Sequence, residues 1–471
     1  MNATLLLSLC PLLLLAACRA GAQAPASGTS AAPDTVRLMT LAPGHFHAAL
    51  VHKHAYEQVD PVVHVYAPEG QELESHLALV EQFNTRAENP TRWSPVVYRG
   101  DDYLERMLAE KPGNVMVVAG NNARKIDYVH RAVEAGIHVL ADKPMVIHPD
   151  SFAVLKEALE AADRQGLLVN DVMTERHEIT SILQRELARN AELFGELVPG
   201  SPDEPAISKE SVHHFYKTVA GQPLVRPAWF FDVGQQGEGI VDVSTHLVDL
   251  ILWQAFPGEP IDYANPEDGV KVLSARSWAT PLTPAQFRQA TRAEAYPPYL
   301  MPAVGADSVL AVAANGAFGF TVRGVHARVS VRWAFENPGG GDTHYSVMRG
   351  TKARLVIRQD AEQGYRPTLY VEPAADPGSA DPGSGVQVLK PALDVALAEL
   401  GDRYPGLEAV ASPYGWEIVV PDVHREGHEE HFARVTERYL GYLAAGALPA
   451  WERTNLLTKY YVTTQAYALS R

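Results

Sequence analysis

The sequence predicts an α/β protein whose N-terminal half is a doubly wound parallel sheet. Segments of strand character alternate with segments of helical periodicity from Val36 to Asn170, and that alternation is the pattern of βαβ units. The clearest strand, Asn114–Ala119, is apolar without a break, as a strand covered by helices on both faces must be. Pro43-Gly44 and Pro68-Glu69-Gly70 close the first two strands, where the chain has to turn toward the next helix.

In order along the chain, Val36–Ala42 is the first strand and His45–Lys53 the helix after it. Pro61–Ala67 is the second strand and Val96–Tyr98 a short third, which leads through Asp101 and Asp102 into the helix LERMLAEK. After Asn114–Ala119 come a helix over 126–136, a strand over Ile137–Ala141, a helix over 151–165 and a strand over Leu167–Asn170. Such sheets bind ligands beyond the carboxyl ends of their strands. The backbone amides of Gly44, His45 and Phe46 at the start of the first helix suit an anion there. The loop LAPGHFHAAL, however, has one glycine where the dinucleotide fingerprint has three. Glu69, ending the second strand, suits the adenosine ribose hydroxyls and equally suits a solvated surface.

Residues 5–9 and 12–17 form an apolar stretch too short for a bilayer span and suited to a signal-peptide core. It ends in Leu15-Ala16-Ala17-Cys18, which resembles the bacterial lipobox. That resemblance implies a lipid anchor on Cys18 and, because Arg19 and not an aspartate follows, the outer membrane facing the periplasm. Residues 18–34 are small, polar and Pro-bearing, as a tether would be. Cys10 and Cys18 are the only cysteines, so the processed chain has no disulfide and no cysteine nucleophile or metal ligand. A formal charge of −16 argues against nucleic acid and against a basic membrane-binding face.

The run Gly136-Ile-His-Val-Leu-Ala-Asp142-Lys143-Pro144 resembles the AGKHVLCEKP-like segment of the glucose–fructose oxidoreductase and inositol dehydrogenase (Gfo/Idh/MocA-like) family. Ala119-Gly120-Asn121-Asn122 stands where that family has an ATPN-like loop, and Arg176 stands near its arginine after the sixth strand. Arg226-Pro-Ala-Trp229-Phe-Phe-Asp232 looks like its tryptophan strand, and residues 237–250, with Asp242, His246 and Asp249, resemble its GGG..D.G.H..D helix. The order is right over nearly the whole processed chain, and the match is to the subgroup with an extra C-terminal oxidoreductase region. The resemblance implies an N-terminal Rossmann domain followed by an α+β domain with a largely antiparallel open sheet. It also implies a nicotinamide cofactor, a sugar, polyol or glycoside as substrate, and association of chains through the open face of the second sheet. Gly44, His45, Phe46, Glu69, Gly120, Asn121, Asn122, Asp142, Lys143 and Arg176 are then the expected cofactor contacts, and His214, Trp229 and Asp232 the expected substrate contacts. NAD is favoured over NADP because Glu69 would repel a 2′-phosphate and no basic pair follows it.

The residues themselves are compatible with that reading. Asp242, His246 and Asp249 fall at i, i+4 and i+7, on one helix face, among apolar Ile240, Val243, Leu247, Val248 and Leu250. Such a face is either satisfied inside the domain or turned toward a cavity. Oxidising a carbinol needs a base on the hydroxyl while hydride leaves the carbon. Lys143 and His246 are assigned to the reacting centre, with Asp242 aligning His246 or the substrate, and Asp249 suited to holding the helix in place. Pro144 opens the way to a cis bond after Lys143. Asp142 replaces a glutamate of the family pattern, Ser244 replaces a glycine, and Glu238 interrupts the glycine triplet, which narrows the room over this helix.

Strand candidates of the second domain are Val270–Leu273, Ser308–Val312, Phe318–Val322 and Ala327–Trp333. Tyr345–Ile357 holds a turn and a strand, Pro373–Gly385 is a Pro/Gly/Ser loop, and two helices broken at Gly446–Pro449 end the chain. The resulting division is a signal peptide over 1–17, a tether over 18–34, a dinucleotide-binding domain over 35–175, a substrate-binding domain over 176–370, a loop over 371–387 and a C-terminal region over 388–471. His424, His428 and His431 lie among acids, but HEEH is not the HExxH zinc signature, so they read as a polar helix start or as substrate-side residues, and no metal is assigned.

The sequence therefore points to an NAD(P)-dependent oxidoreductase of the cell envelope. With no steady cofactor supply outside the cytoplasm, a tightly retained cofactor and a redox-neutral reaction are expected. The alternatives are NAD-assisted glycoside cleavage, with Tyr216 or Tyr345 as a further acid or base, and a non-enzymatic carbohydrate-binding lipoprotein.

Overall fold

The computed structural model describes residues 35–219, 222–374 and 382–471. The signal peptide, Cys18 and the tether lie outside the described residues, as does much of the Pro/Gly/Ser loop. Among the described residues no helix is long and apolar enough to cross a membrane.

The first domain runs β1 (Leu38–Leu41), α1 (His47–Leu50), β2 (Val62–Ala67), α2 (Gln71–Thr85), β3 (Ser94–Arg99), α3 (Tyr103–Glu110), β4 (Val115–Val118), α4 (Asn122–Glu134), β5 (His138–Ala141), α5 (Pro149–Gln165) and β6 (Val169–Asp171). Its six strands lie in the order β3-β2-β1-β4-β5-β6, all parallel. The order reverses between β1 and β4, which opens a crevice at the carboxyl ends of those strands. β1, β4 and β5 are buried at every position, the uniform apolar pattern legible in the sequence. Helix α5 shows the local logic: Pro149 sits at its start, and Leu155, Ala158, Leu159 and Ala162 form the buried stripe at helical spacing. The expected helix over 45–53 shrinks to the single turn α1, since the chain reaches a run of turns and bends by Val51.

The second domain contains α6 (Ile179–Ala188), β7 (Ile207–His214), the short β8 (Thr218–Val219) and β9 (Gln222–Pro223), α7 (Val233–Gln236), α8 (Ser244–Ala255), β10 (Lys271–Leu282), α9 (Pro284–Thr291), β11 (Leu310–Val322), β12 (Val325–Ala334), β13 (Thr343–Arg349), β14 (Ala353–Gln359), β15 (Thr368–Pro373), α10 (Pro382–Leu400), β16 (Glu408–Ser412) and β17 (Gly415–Val419). Nine strands order as β10-β11-β12-β7-β13-β14-β15-β17-β16, antiparallel throughout except for the parallel pair β12 and β7. The two strands expected over 308–312 and 318–322 are one long strand, β11, and Tyr345–Ile357 is the hairpin of β13 and β14. The expected tryptophan strand is instead a 3-10 helix over Ala228–Phe231, whose three aromatic side chains turn into the core. β7, which carries His213 and His214, sits in mid-sheet with partners on both sides.

The chain ends in α11 (His428–Ala445) and α12 (Ala450–Leu469), and both return to the first domain. Phe432, Val435, Tyr439 and Leu440 of α11 pack with Leu38, Ala49 and Leu50 around β1. Leu456, Leu457 and Tyr460 of α12 join the first-domain core, while its Val462 and Ala466 join the second. One helix thus belongs to both hydrophobic cores.

Candidate active site

Three turns of the parallel sheet converge at the switch point. In the turn after β1, Ala42 adopts φ 43°, the left-handed conformation usually left to glycine. Gly44 and Gly120 bring this turn against the turn after β4, and a Cβ on Gly120 would lie 2.6 Å from the Ala42 carbonyl oxygen. Beside them lies a cavity of about 420 Å³ lined by Ala42, Pro43, Glu69, Gly70, Gly120 and Asn121. Arg124 also lines it, with its guanidinium 5.3 Å from the Tyr128 ring centroid. The cavity, the open glycine approach and the carboxylate at its rim fit the adenosine and pyrophosphate of a dinucleotide.

Asn121 caps α4, accepting from the Ala123 N–H, and its Nδ2 donates to Gln235 Oε1 at 2.7 Å. Asn122 Nδ2 donates to the Gln236 carbonyl at 2.7 Å. Both asparagines expected at the cofactor therefore also link the first domain to α7 of the second.

After β5, Asp142 and Lys143 enter the cleft, and the Lys143–Pro144 bond is cis. Lys143 Nζ donates to Asp242 Oδ1 at 2.7 Å, and Asp242 Oδ2 accepts from Gln236 Nε2 at 3.1 Å. Asp242 thus pairs with the lysine and is not the orienting partner expected for His246. It also precedes α8, so it shares no regular helix face with His246. His246 Nδ1 has no hydrogen-bond partner among the described residues. Burial, with Lys143 nearby, holds its pKa well below the ordinary histidine value, so the ring is neutral. Glu175 enters the same neighbourhood from the 3-10 helix after β6, and burial together with Glu178 pushes its carboxyl up to about 7.

Asp142 is 7% exposed. Its Oδ2 lies 3.0 Å from His47 Nδ1, and its Oδ1 accepts from the Lys143 backbone N–H at 3.0 Å. Burial raises its pKa, but His47, Lys125 and His45 outweigh this and keep it ionised. His45 is held neutral by burial and by His47, and burial takes His428, whose ring centroid is 5.5 Å from that of His47, down to about 3.

On the second-domain side, Asp342 gathers three cations or donors. His214 Nδ1 lies 2.9 Å from Oδ1, while Lys217 Nζ at 2.7 Å and His213 Nδ1 at 3.2 Å share Oδ2. Burial raises the Asp342 pKa, and the two histidines and Lys217 more than reverse that. Arg226 lies beneath, donating to the carbonyls of His214 and Phe215 and stacked 4.4 Å from the Phe230 ring centroid.

Several expected contacts are placed elsewhere. Arg176 is not at the cofactor crevice: its guanidinium is fully committed to Asp249, by two bonds of 2.6 Å, and to Glu452 at 2.6 Å, in a site 2% exposed. Asp249 also accepts from Lys459, so it anchors helices and stands away from the reacting centre. Trp229 Nε1 donates to Glu72 of α2 at 2.5 Å, and Asp232 caps α7, so the polar groups of both are taken by protein partners. Phe46 packs on the core beneath α11, and neither it nor His45 lines the 420 Å³ cavity. Glu238 does not crowd the cleft, since it accepts from Ser277 Oγ at 2.7 Å and pairs with Arg471; Ser244 Oγ bonds back to the Ile240 carbonyl. Sequence reasoning missed Arg124, Asp342, Glu175 and the His47–Asp142 contact. Only the last left a signal, the His-x-His spacing inside a glycine-poor loop.

A family described as "Oxidoreductase family, NAD-binding Rossmann fold" matches residues 41–171, and one described as "Putative oxidoreductase C terminal domain" matches residues 183–471. The chain belongs to the Gfo/Idh/MocA oxidoreductase family, in the group with that C-terminal domain. An oxidoreductase-family crystal structure from Parabacteroides merdae is 50% identical, with a TM-score of 0.88, covering 93% of this chain and 98% of that one. At fold level the Gfo/Idh/MocA chain is similar to a 3-ketoreductase mutant from Actinomadura kijaniata solved with TDP-benzene and NADP (14% identity, TM-score 0.53, covering 93% and 98%). It is likewise similar to biliverdin reductase from Synechocystis solved with biliverdin and NADP+ (10% identity, TM-score 0.53, covering 92% and 98%). No curated protein matches the chain. The family assignment makes the protein an NAD(P)-binding oxidoreductase.

Proposed function

We propose that the protein transfers hydride to or from a carbinol carbon of a sugar or polyol, with Lys143, Asp242 and His246 handling the proton. The observation that carries this reading is the Lys143–Asp242 pair at 2.7 Å beside a neutral His246 whose Nδ1 has no partner among the described residues, in a chain of a nicotinamide-binding family. A bound nicotinamide supplies or accepts the hydride. Ala42, Gly44 and Gly120 hold the pyrophosphate, and Glu69 with Asn121 the adenosine ribose. Lys143 Nζ donates to the substrate oxygen while Asp242 fixes the lysine side chain, and the neutral His246 ring takes the proton released from the hydroxyl. His213, His214, Lys217 and Asp342 offer several donors and acceptors, which suits a polyhydroxylated substrate.

NAD is the proposed cofactor, because the Glu69 carboxylate at the cavity rim opposes a 2′-phosphate. We further propose that the chain is lipid-anchored through Cys18 and keeps its cofactor through successive turnovers. Replacing Cys18→Ala should move the protein from the membrane fraction to the soluble one, and unchanged sedimentation would sink the anchor.

Redox-neutral glycoside cleavage is the second reading. It gains from the His214–Asp342 pair, a second proton-transfer group available for the leaving oxygen. Mass spectrometry of the small molecules released on denaturation tests the main reading. About one NAD(H) per chain supports it, and a panel of sugars and glycosides then separates oxidation from cleavage by product. No released dinucleotide and no saturable NAD(H) or NADP(H) binding would leave a carbohydrate-binding protein as the better account.

A further inference from the structure

We propose that His45, His47 and Asp142 form a binding site for a divalent transition-metal ion beside Lys143. One nitrogen from each imidazole and one carboxylate oxygen lie within 4.8 Å of one another. Two donors sharing a zinc ion at about 2.1 Å each stand roughly 3.4 Å apart, and the 3.0 Å from His47 Nδ1 to Asp142 Oδ2 is already in that range. Small side-chain rotations of His45 complete the set.

A hydrogen-bond role alone explains only half of the cluster. His47 and Asp142 satisfy each other, but the His45 side chain makes a single hydrogen bond among the described residues, a long 3.3 Å contact from the His47 N–H to Nδ1. Its ring is brought edge-on to His47, with centroids 4.0 Å apart, by a turn that places two histidines on alternate residues just after β1. The carboxylate comes from a different strand end, 95 residues along the chain, so the convergence is tertiary.

Two imidazoles and one carboxylate suit zinc, iron or manganese, and three protein ligands leave coordination positions open. An outer partner holds the carboxylate in place, as metal sites require, since the Lys143 backbone N–H donates to Asp142 Oδ1, while Lys125 Nζ fixes the Asp142 backbone through its carbonyl at 2.9 Å. Because Lys143 follows Asp142 directly, the open positions are available to water or to a substrate hydroxyl near the reacting centre. His428 stands behind His47 as the nearest further imidazole.

The site does not depend on the dinucleotide, so it is tested on the purified full chain after chelation and without cofactor. Zn2+ titration against a chromophoric chelator should give one ion per chain, and Co2+ should give visible d–d absorption. The variants H45Q and H47Q should each weaken Zn2+ binding by at least about a hundredfold, beyond the loss expected from removing an outer partner. They should also abolish the Co2+ bands, while H130A, on the surface of α4, changes neither. Unaltered melting temperatures would show that the glutamine variants fold. Less than half an ion per chain, or an affinity indifferent to H45Q and H47Q, would overturn the proposal and leave His47–Asp142 as a hydrogen bond only. Neither result bears on whether the protein binds NAD(H), which is measured separately.

Discussion

Lys143 Nζ stands 2.7 Å from Asp242 Oδ1, and this ion pair joins the turn after β5 to the turn before α8 across the cleft between the domains. Replacing Lys143→Met removes the proposed donor to the substrate oxygen and breaks the pair with Asp242. The expected result is a fall in kcat of about 10²–10⁴ with cofactor affinity changed little, measured by steady-state kinetics and dinucleotide fluorescence. Retained turnover in this variant would remove the lysine from the chemistry.

Gly120 faces the turn after β1 so closely that an added methyl group would meet the Ala42 carbonyl oxygen at 2.6 Å and the Gly44 nitrogen at 2.9 Å. Both neighbours are backbone and cannot swing aside. Gly120→Ala should therefore force the two turns apart, weaken dinucleotide binding at least tenfold and lower the melting temperature. Normal binding by calorimetry would mean that the crevice is looser than its geometry implies.

Arg176, Asp249, Lys459 and Asp171 form a buried ion cluster in which Lys459 Nζ lies 2.8 Å from Asp249 and 2.9 Å from Asp171. Removing one member leaves the others uncompensated in a site shut off from water. Lys459→Met should cost about 3–5 kcal/mol of stability by denaturant titration while leaving the kcat of folded molecules unchanged. A loss of kcat greater than the loss of folded protein would place this cluster in the catalytic machinery.

His76 is 3% exposed, and neither of its ring nitrogens has a partner among the described residues. Burial takes its pKa down to about 4, so the unfolded chain binds the proton more readily. The associated stability is fully present above pH 6.5 and is lost as the pH falls from there toward 4. At pH 5 the loss amounts to about 2 kcal/mol. His76→Leu should melt near the wild-type temperature at pH 7.5 and above it at pH 5; equal pH dependence of the two proteins would contradict this.

The parallel sheet was legible because uniformly apolar strands such as Val115–Val118 have no other use, and because helices such as α5 carry both a start signal and a buried stripe. The family resemblance led to Lys143, Asp242 and His246, and the geometry brings the first two together. What stayed hidden depends on tertiary partners. Arg176 reads in sequence as a cofactor contact, because nothing local announces that Asp249 and Glu452 will consume its guanidinium. Trp229 resembles a strand residue, but three consecutive aromatics at the core are packed more efficiently by one 3-10 turn than by a strand that would alternate their faces. Asp342 follows a glycine turn and carries no pattern of its own, and it becomes notable only when β7 delivers two histidines to it.

Asp171 ends the last strand of the first domain, and its countercharge, Lys459, arrives 288 residues later. As the chain is synthesised, the parallel sheet can assemble its strands but must wait for α12 before this carboxylate can be shut away from water as an ion. Its neighbour Tyr460, whose hydroxyl donates to Asp171 and accepts from the Met145 N–H, is equally late. The nucleotide-binding half is thus a sheet whose closure waits on a segment 288 residues downstream of its last strand, so a long-range step is built into its folding. A ribosome-stalled fragment that stops before α12 should remain sensitive to protease throughout β5 and β6, long after those strands have emerged.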